Sequence, residues 1–281
     1  VHGFDVLTVH DAPRISELWN RAQPAEPLTA TELTTILDLD PGIVLSTDTG
    51  VVATTTRADR GFIRLLAVAP EARNRGQGRA LLTAAEAWLT DHGVTTIRWG
   101  SEIPYYLWPG LDEAWKPAVT LATTSGYTCT GTALNMTIHT DLDAPKTLPV
   151  HRIGDRDPRI TATRRLIQDN WAPWLTEVNL AATSGTLFVA FDGDRAVSFM
   201  AHSTLRRGWL GPMGTDPDYQ GRGIGTSVLQ ATCADLASRG FETAEIAWVG
   251  PTDYFARFGA TRSRTFLAMV KTASHLAEPG S

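Results

Sequence analysis

Two stretches of the chain have the residue types and spacing to hold a phosphate group. They read Arg73-x-x-Gly76-x-Gly78 and Gln220-x-x-Gly223-x-Gly225. Glycines let backbone N–H groups approach a ligand closely, and a helix N-terminus adds its partial positive charge. Arg75, Arg79 and Arg222 add cationic side chains beside the two turns. A lone copy would read equally well as a tight strand-to-helix turn with solvated arginines. Two copies in one register do not. Sliding the sequence by 147 residues puts Pro70 on Pro217, Gly76 on Gly223, Gly78 on Gly225, Leu89 on Leu236 and Gly93 on Gly240, without a gap. So long a period indicates a duplicated domain rather than a solenoid.

The elements around the motifs repeat as well. In the first half, "RISELWNRA" and "TATELTTILDL" have helical spacing, with Thr29 placed to cap the second. "GIVLST" and "VVATTTRA" flank "DTG" as a hairpin, and "FIRLLAV" is apolar enough for a strand buried on both faces. A helix from about Gly76 to His92, the strand "TTIRWG", the short helix "KPAVTLATTSG" and the strand "ALNMTIHT" complete the half. The second half runs through the helix "ITATRRLIQDNW", a hairpin turning at Asp192-Gly193-Asp194, and "WLGPMGT" before its motif. A helix to Gly240, "TAEIAWV", "DYFARFG" and "RTFLAMVK" follow it. Between the halves, "DLDAPKTLP" is polar with two prolines and reads as linker. The expected architecture is α/β (α+β): a domain over 1–142, a linker over 143–149 and a second domain over 150–281, each a mixed central sheet flanked by helices.

Composition narrows the function. The 281 residues are 43% apolar and 20% charged, as in a globular protein with room for two cores. A net charge of −5 argues against a nucleic-acid partner. No apolar run approaches the length of a membrane span, and "VHGFDVLTVHDAP" lacks the pattern of a signal peptide. Cys129 and Cys233 show no metal or redox spacing, so no metal is expected and a cytoplasmic location is.

Neither copy has the Lys-Ser or Lys-Thr of a Walker A loop, nor the third glycine of a dinucleotide fingerprint. The spacing, the preceding "RLLAVAP" and the order of helix, strand, short helix and glycine resemble the GNAT superfamily of acyl-CoA-dependent N-acyltransferases. The resemblance covers nearly all of both halves, and the duplication is similar to the tandem GNAT proteins, of which mycothiol synthase is a known type. It implies two splayed-strand wedges and acetyl-CoA as cosubstrate. Its pyrophosphate would lie on Arg73, Asn74, Arg75, Gly76, Gln77, Gly78 and Arg79, or on Gln220, Gly221, Arg222, Gly223, Ile224, Gly225 and Thr226. The pantetheine arm would pair with the preceding strand, at Ala67 and Val68 or at Met213, Gly214 and Thr215. In "LGPMGT" the proline and glycines further suggest a bulge where a ligand approaches, and an N–H there would polarise the thioester carbonyl.

The resemblance also implies a tyrosine four residues before the glycine that ends the short helix, serving as acid to the leaving thiolate. That position holds Ala122 before Gly126 and Phe255 before Gly259, with Tyr254 next to the latter. Tyr254 is the candidate acid, against a packing role. Candidate bases are Glu177 and Asp253 in loops of the second half, with Glu102, Glu113 and His202 as weaker alternatives. The first half carries 14 more residues than the second between its second motif glycine and its closing glycine, 48 against 34. These fall largely in "SEIPYYLWPGLDEAWK", where Tyr105, Tyr106, Trp108 and Trp115 stand among carboxylates. Such rings suit a cationic, partly apolar substrate, and Trp171 and Trp174 in "NWAPWLTEVN" form a similar mixture. Burial between the two halves is the competing expectation for the insertion.

The leading reading is an acetyl-CoA-dependent N-acetyltransferase, monomer or homodimer. It would act on a small amine such as an amino sugar, antibiotic or specialised metabolite, in a setting of antibiotic resistance or biosynthesis. Chemistry is expected in the second half, with the first half structural. The alternatives are an aminoacyltransferase fed by aminoacyl-tRNA and a non-catalytic acyl-CoA sensor.

Overall fold

The computed structural model describes residues 3–38, 42–100, 106–143 and 147–272. The chain divides into two compact units, one of residues 1–133 with 265–281, the other of residues 134–264.

The first unit opens with β1 (Asp5–Leu7), α1 (Ala12–Ala22) and α2 (Ala30–Leu37). The Thr29 hydroxyl accepts the Glu32 N–H at 3.2 Å and the Glu32 carboxylate accepts the Thr29 N–H at 2.8 Å, a reciprocal cap that starts α2. Then come β2 (Gly42–Ser46), β3 (Gly50–Arg57), β4 (Arg60–Val68), α3 (Gln77–Asp91), β5 (Thr96–Trp99), the two-residue β6 (Leu111–Asp112), α4 (Lys116–Thr124) and β7 (Thr128–His139). The strands β1 to β4 are antiparallel neighbours in chain order, and β4 runs parallel to β5. Ile63, Leu66 and Val68 of β4 join Leu81, Leu82, Ala85 and Leu89 of α3 in one core. Phe62, Leu65 and Ala67 are buried outside that cluster, so the strand is covered on both faces as its composition requires.

The second unit holds β8 (Val150–Arg152), α5 (Ile160–Trp171), α6 (Leu175–Ser184), β9 (Leu187–Asp192), β10 (Arg195–His202), β11 (Trp209–Thr215), α7 (Ile224–Ser238), β12 (Thr243–Ile246) and α8 (Thr252–Ala256), and the start of β13 (Thr261–Thr272). The strands β8 to β11 are antiparallel in chain order, and β11 runs parallel to β12. Side chains of β10 alternate between two cores. Val197 and Met200 meet Val228, Leu229, Cys233 and Leu236 of α7, while Phe199 and Ala201 meet Ile167, Val178 and Ala181 of α5 and α6.

One feature departs from the expected division at 143–149. Strand β7 begins in the first unit, where the Thr130 hydroxyl donates to the Ala268 carbonyl at 3.1 Å. From Leu134 it belongs to the second unit and pairs antiparallel with β12, His139 opposite Thr243. Strand β13 does the converse: from Thr265 it belongs to the first unit and pairs with β5, Val270 opposite Arg98. Each copy's closing strand therefore completes the other unit's sheet.

His202, a weaker candidate base, is structural. It is fully buried on β10, with Nε2 2.8 Å from Asp235 Oδ2 and Nδ1 3.0 Å from the Ser203 hydroxyl. Burial holds its imidazole below the usual value, against the pull of Asp235. Arg152 and Arg239 complete the cluster on the Asp235 carboxylate, which fastens α7 to β8 and β10.

Candidate active site

In both units the motif sits where the parallel pairing of two strands stops. The β11–β12 ladder comprises Trp209 opposite Glu245 and Leu210 opposite Ile246, and nothing beyond. From Gly211 to Thr215 only β10 flanks β11, and the register slips between Met200 and His202, a bulge at Gly211-Pro212. Among the described residues the β4–β5 ladder likewise ends at Ile63 opposite Trp99, leaving Leu65 to Val68 without a described partner on that side. Alternate backbone groups of each freed segment face the opening, where an extended ligand can pair with them.

The glycine turns follow. Gly76 and Gly223 are the N-caps of α3 and α7 with φ of 80° and 75°, a left-handed conformation that glycine adopts without a Cβ penalty. Asn74 takes φ 59° where the second copy has Gly221 at 75°, and asparagine is among the few residues that tolerate it. The first intrahelical bonds run from Ala80 N to Gly76 O and from Ser227 N to Gly223 O. The N–H groups of Gln77, Gly78 and Arg79, and of Ile224, Gly225 and Thr226, thus precede the helical ladder and form the anion-binding end of each helix.

The first motif residue has a different task from the one its charge suggests. Arg73 Nε donates to the Val68 carbonyl at 3.0 Å and Gln220 Nε2 to the Thr215 carbonyl at 3.2 Å. Each side chain latches the loop to the end of its strand. An amide performs this as well as a guanidinium, which accounts for the Arg–Gln interchange. Arg79 bonds the Thr124 hydroxyl at 2.8 Å and Gln77 bonds Thr49, so two first-copy side chains expected on a phosphate are engaged within the fold. Arg222 donates to the Asp218 carbonyl at 2.8 Å and lies over the Tyr219 ring.

The copies diverge at the end of the short helix. Phe255, at the position the resemblance reserves for tyrosine, is buried in the core. Tyr254, one residue earlier, reaches the loop: its hydroxyl is 3.4 Å from where a Cβ on Gly225 would stand, close to Thr215 and Met213. That hydroxyl is buried and makes no hydrogen bond of full geometry, the Thr226 hydroxyl being near enough only to act on its pKa. Burial raises its pKa, while the Thr226 hydroxyl and the Arg257 charge work against the rise. The phenol is therefore protonated at neutral pH. In the first copy the residue five before the glycine is Leu121, and its Cδ2 is 3.4 Å from the Cβ position of Gly78. The same place holds a phenol in one copy and an aliphatic chain in the other.

The candidate bases separate. Glu177 lies on α6 rather than in a loop, because Pro173 ends one helical run and a turn at Ala172–Trp174 starts the next. It is buried, its Oε1 has no hydrogen-bond partner among the described residues, and burial alone raises its pKa to about 8. Asp253 is exposed in the first turn of α8, and Glu113 is also exposed. Glu102 and Tyr105 lie outside the described residues.

Of the expected substrate rings, Trp171 touches the freed strand. Its ring atoms stand 2.7 Å from the Cβ position of Gly214, an approach only glycine permits, and the ring also meets Phe199 and Trp174. Glu177 follows Trp174 by one helical turn. Trp108 behaves differently. It is buried in the first unit beside Trp19 and Trp115, with centroids 4.8 and 5.3 Å away, and its indole donates to Glu26 at 2.8 Å. The inserted segment thus fills the end of its own wedge. The cavity left there, against Leu65, Leu66 and Trp99, is about 40 Å³, space for a few waters. Tyr106 is half-buried. The ligand role expected of Trp108 gives way to packing. Trp108→Ala is expected to destabilise the protein by about 3 kcal/mol in urea melts. A loss of turnover without loss of stability would restore the ligand role.

Among the described residues no helix is long and apolar enough to cross a membrane and no cluster has metal-binding composition. Solved structures share the architecture. A GCN5-related glucosamine N-acetyltransferase region of a fungal multi-domain β-N-acetylglucosaminidase superposes with a TM-score of 0.75 at 19% identity, over 95% of this chain, which spans 38% of that one. A GCN5-related N-acetyltransferase from Sphaerobacter thermophilus gives 0.70 at 17% identity, covering 97% of this chain and 96% of that one. A tandem GNAT protein from the clavulanic acid biosynthesis pathway gives 0.71 at 16%, covering 99% of each. At these identities the likeness concerns the fold. No curated protein matches the chain in sequence. The model of the acetyltransferase (GNAT) family matches residues 16–104 and again 150–259. Two wedges, two glycine turns and two family matches in one chain lead to one conclusion: this protein belongs to the GNAT acetyltransferase family, in tandem form.

Proposed function

We propose that the chain is an acetyl-CoA-dependent N-acetyltransferase whose second copy acetylates the amine of a small metabolite. The observation that carries the reading is the orphaned Tyr254 hydroxyl at the Gly225 turn, with Leu121 in its place in the first copy. The likeness to a clavulanic acid pathway protein supports a setting in specialised metabolism. The tandem arrangement is mycothiol-synthase-like in architecture alone. The sequence domains 1–142 and 150–281 are read as two copies of one ancestral unit that exchange closing strands.

The residues present fit acetyl-CoA. The N–H groups of Ile224, Gly225 and Thr226 would hold its pyrophosphate, and the freed edge of Met213, Gly214 and Thr215 its pantetheine arm. Bound there, it supplies an acetyl thioester and a thiolate leaving group. An alkyl ammonium of pKa about 10 is only about 0.1% free base at pH 7, so a proton must leave before attack. Glu177, with a pKa of about 8, is matched to that removal. A backbone N–H at the Gly211-Pro212 bulge polarises the carbonyl. Tyr254 gives its proton to the departing sulfur and recovers one from solvent. The first copy keeps an intact turn and is read as a second CoA site, with a closed wedge and no acid.

The test is thiol release from acetyl-CoA against a panel of small amines, with product acetylation followed by mass spectrometry. Transfer to at least one amine is expected. CoA binding with no transfer to any amine would favour the sensor, and acyl transfer from a charged tRNA would favour the aminoacyltransferase.

A further inference from the structure

The second copy carries a set of hydroxyls at its glycine turn that the first copy does without. Ser198 stands opposite Thr215 in the β10–β11 register. The position a Cβ would take on Gly225 is ringed by Thr215 Oγ1 at 3.1 Å, the Met213 methyl at 3.3 Å and Tyr254 Oη at 3.4 Å. In the first copy Gly50 stands opposite Val68, and the same place beside Gly78 is flanked by Leu121 at 3.4 Å and Val68 at 3.7 Å. Glycine, valine and leucine around one turn are serine, threonine and tyrosine around the other. Strand and turn form with either set, so the fold does not require the hydroxyls, and burying them unpaired costs free energy.

The direction of the hydrogen bonds is fixed from the buried end. Ser198 is fully buried, and its hydroxyl donates to the Gly214 carbonyl at 3.0 Å, which uses its one hydrogen. In the 2.9 Å contact between Ser198 and Thr215 the threonine is therefore the donor. Held in this way, Thr215 turns only lone pairs to the space over Gly225. Tyr254 closes that space from α8. The Thr226 hydroxyl, on a half-buried residue at the start of α7, is near enough to the phenol to act on it. An acceptor, a phenol and a third hydroxyl around a place with no side chain are partners enough for one water.

We propose that Thr215, held by Ser198, positions Tyr254 through one water bound over Gly225. The water donates to Thr215 and to the phenol oxygen and accepts from Thr226. With a lone pair so engaged, the phenol keeps its own hydrogen off Thr215 and free for the departing sulfur. This rests on the N-acetyltransferase reading and adds a positioning residue to it.

Two measurements on the full chain test the assignment, with Thr215→Val and Thr215→Ser. Valine is the residue the first copy carries at this place, so the strand is expected to form. The first measurement needs no turnover. A fluorinated tyrosine at position 254, whose more acidic phenol titrates within the stable range of the protein, is followed by ¹⁹F NMR. Loss of the bridge removes a donor to the phenolate, so Thr215→Val should move the titration upward by about one pH unit, and Thr215→Ser should restore it. Gly225→Ala, which keeps its N–H and fills the space with a methyl group, should shift the titration in the same direction. The second measurement is thiol release with the amine panel. The kcat should fall about 10-fold in Thr215→Val, with the KM for acetyl-CoA within about twofold, and recover in Thr215→Ser. A titration indifferent to Thr215→Val, a shift that Thr215→Ser does not restore, or an unchanged kcat beside a shifted titration overturns the proposal. The upward shift without turnover of any amine by the parent would sustain the bridge and sink the enzymatic reading instead.

Discussion

Tyr254→Phe is expected to lower kcat roughly 10²-fold, with the affinity for CoA within about twofold of the parent. The substitution removes one oxygen and keeps the ring, so the contacts with Phe255 and Phe258 remain. Stability should hardly change, because the lost hydroxyl makes no hydrogen bond of full geometry. The effect belongs to the step in which sulfur leaves. An acceptor-independent way to see it is to compare acetyl-CoA with a thioester of a more acidic thiol. A better leaving group needs less protonation, so the gap between Tyr254→Phe and the parent should narrow. An equal gap for both donors would show that the phenol packs and does not donate.

Glu177→Gln should be as damaging, about 10²- to 10³-fold in kcat/KM at pH 8, and its signature is a pH profile. With a pKa of about 8, only about a tenth of the carboxyl is ionised at pH 7, so the parent's rate should rise with pH up to about 8. In Glu177→Gln that limb should vanish, leaving only the rise set by the free amine near its own pKa of about 10. Stability should move the opposite way. The folded pKa is raised above the unfolded value near 4.3, so the native state holds the extra proton between the two. Its stabilising contribution is complete below about pH 4 and is lost as pH climbs through 8. Glu177→Gln should therefore melt higher than the parent at pH 8 to 9. A variant that loses activity but keeps the limb near 8 would mean that the limb belongs to another group.

These two residues also show what the sequence could reveal. The glycine turns, the wedge strands and the copy number were legible because they depend on local backbone demands: left-handed caps at Gly76 and Gly223, and a strand of proline and glycine before the second turn. Tyr254 was legible only to within one residue, since the pitch of a five-residue helix decides whether it or Phe255 meets the core. Glu177 was read as a loop carboxylate, because Pro173 interrupts the helical period that α6 restarts. The exchanged strands were not legible. "ALNMTIHT" and "RTFLAMVK" have the same buried pattern whichever sheet receives them, so periodicity is silent on the partner. The hydrogen bond from the Trp248 N–H to the buried Asn135 carboxamide oxygen joins residues 113 positions apart, and no local spacing marks it. The insertion's tryptophans were read as open rings or as a plug between the halves. Trp108 is instead core of the first unit, a role that aromatic composition alone does not separate from binding.

The central claim is that chemistry belongs to the second copy, and a matched pair of variants tests it most directly. Gly76 and Gly223 are both left-handed N-caps, so valine at either imposes the same kind of backbone strain on its own turn alone. Thiol release from acetyl-CoA with the amine panel should be abolished in Gly223→Val and persist in Gly76→Val, with CoA stoichiometry falling from two to one per chain in each. Turnover that survives Gly223→Val and disappears in Gly76→Val would contradict the account and move the chemistry to the first copy.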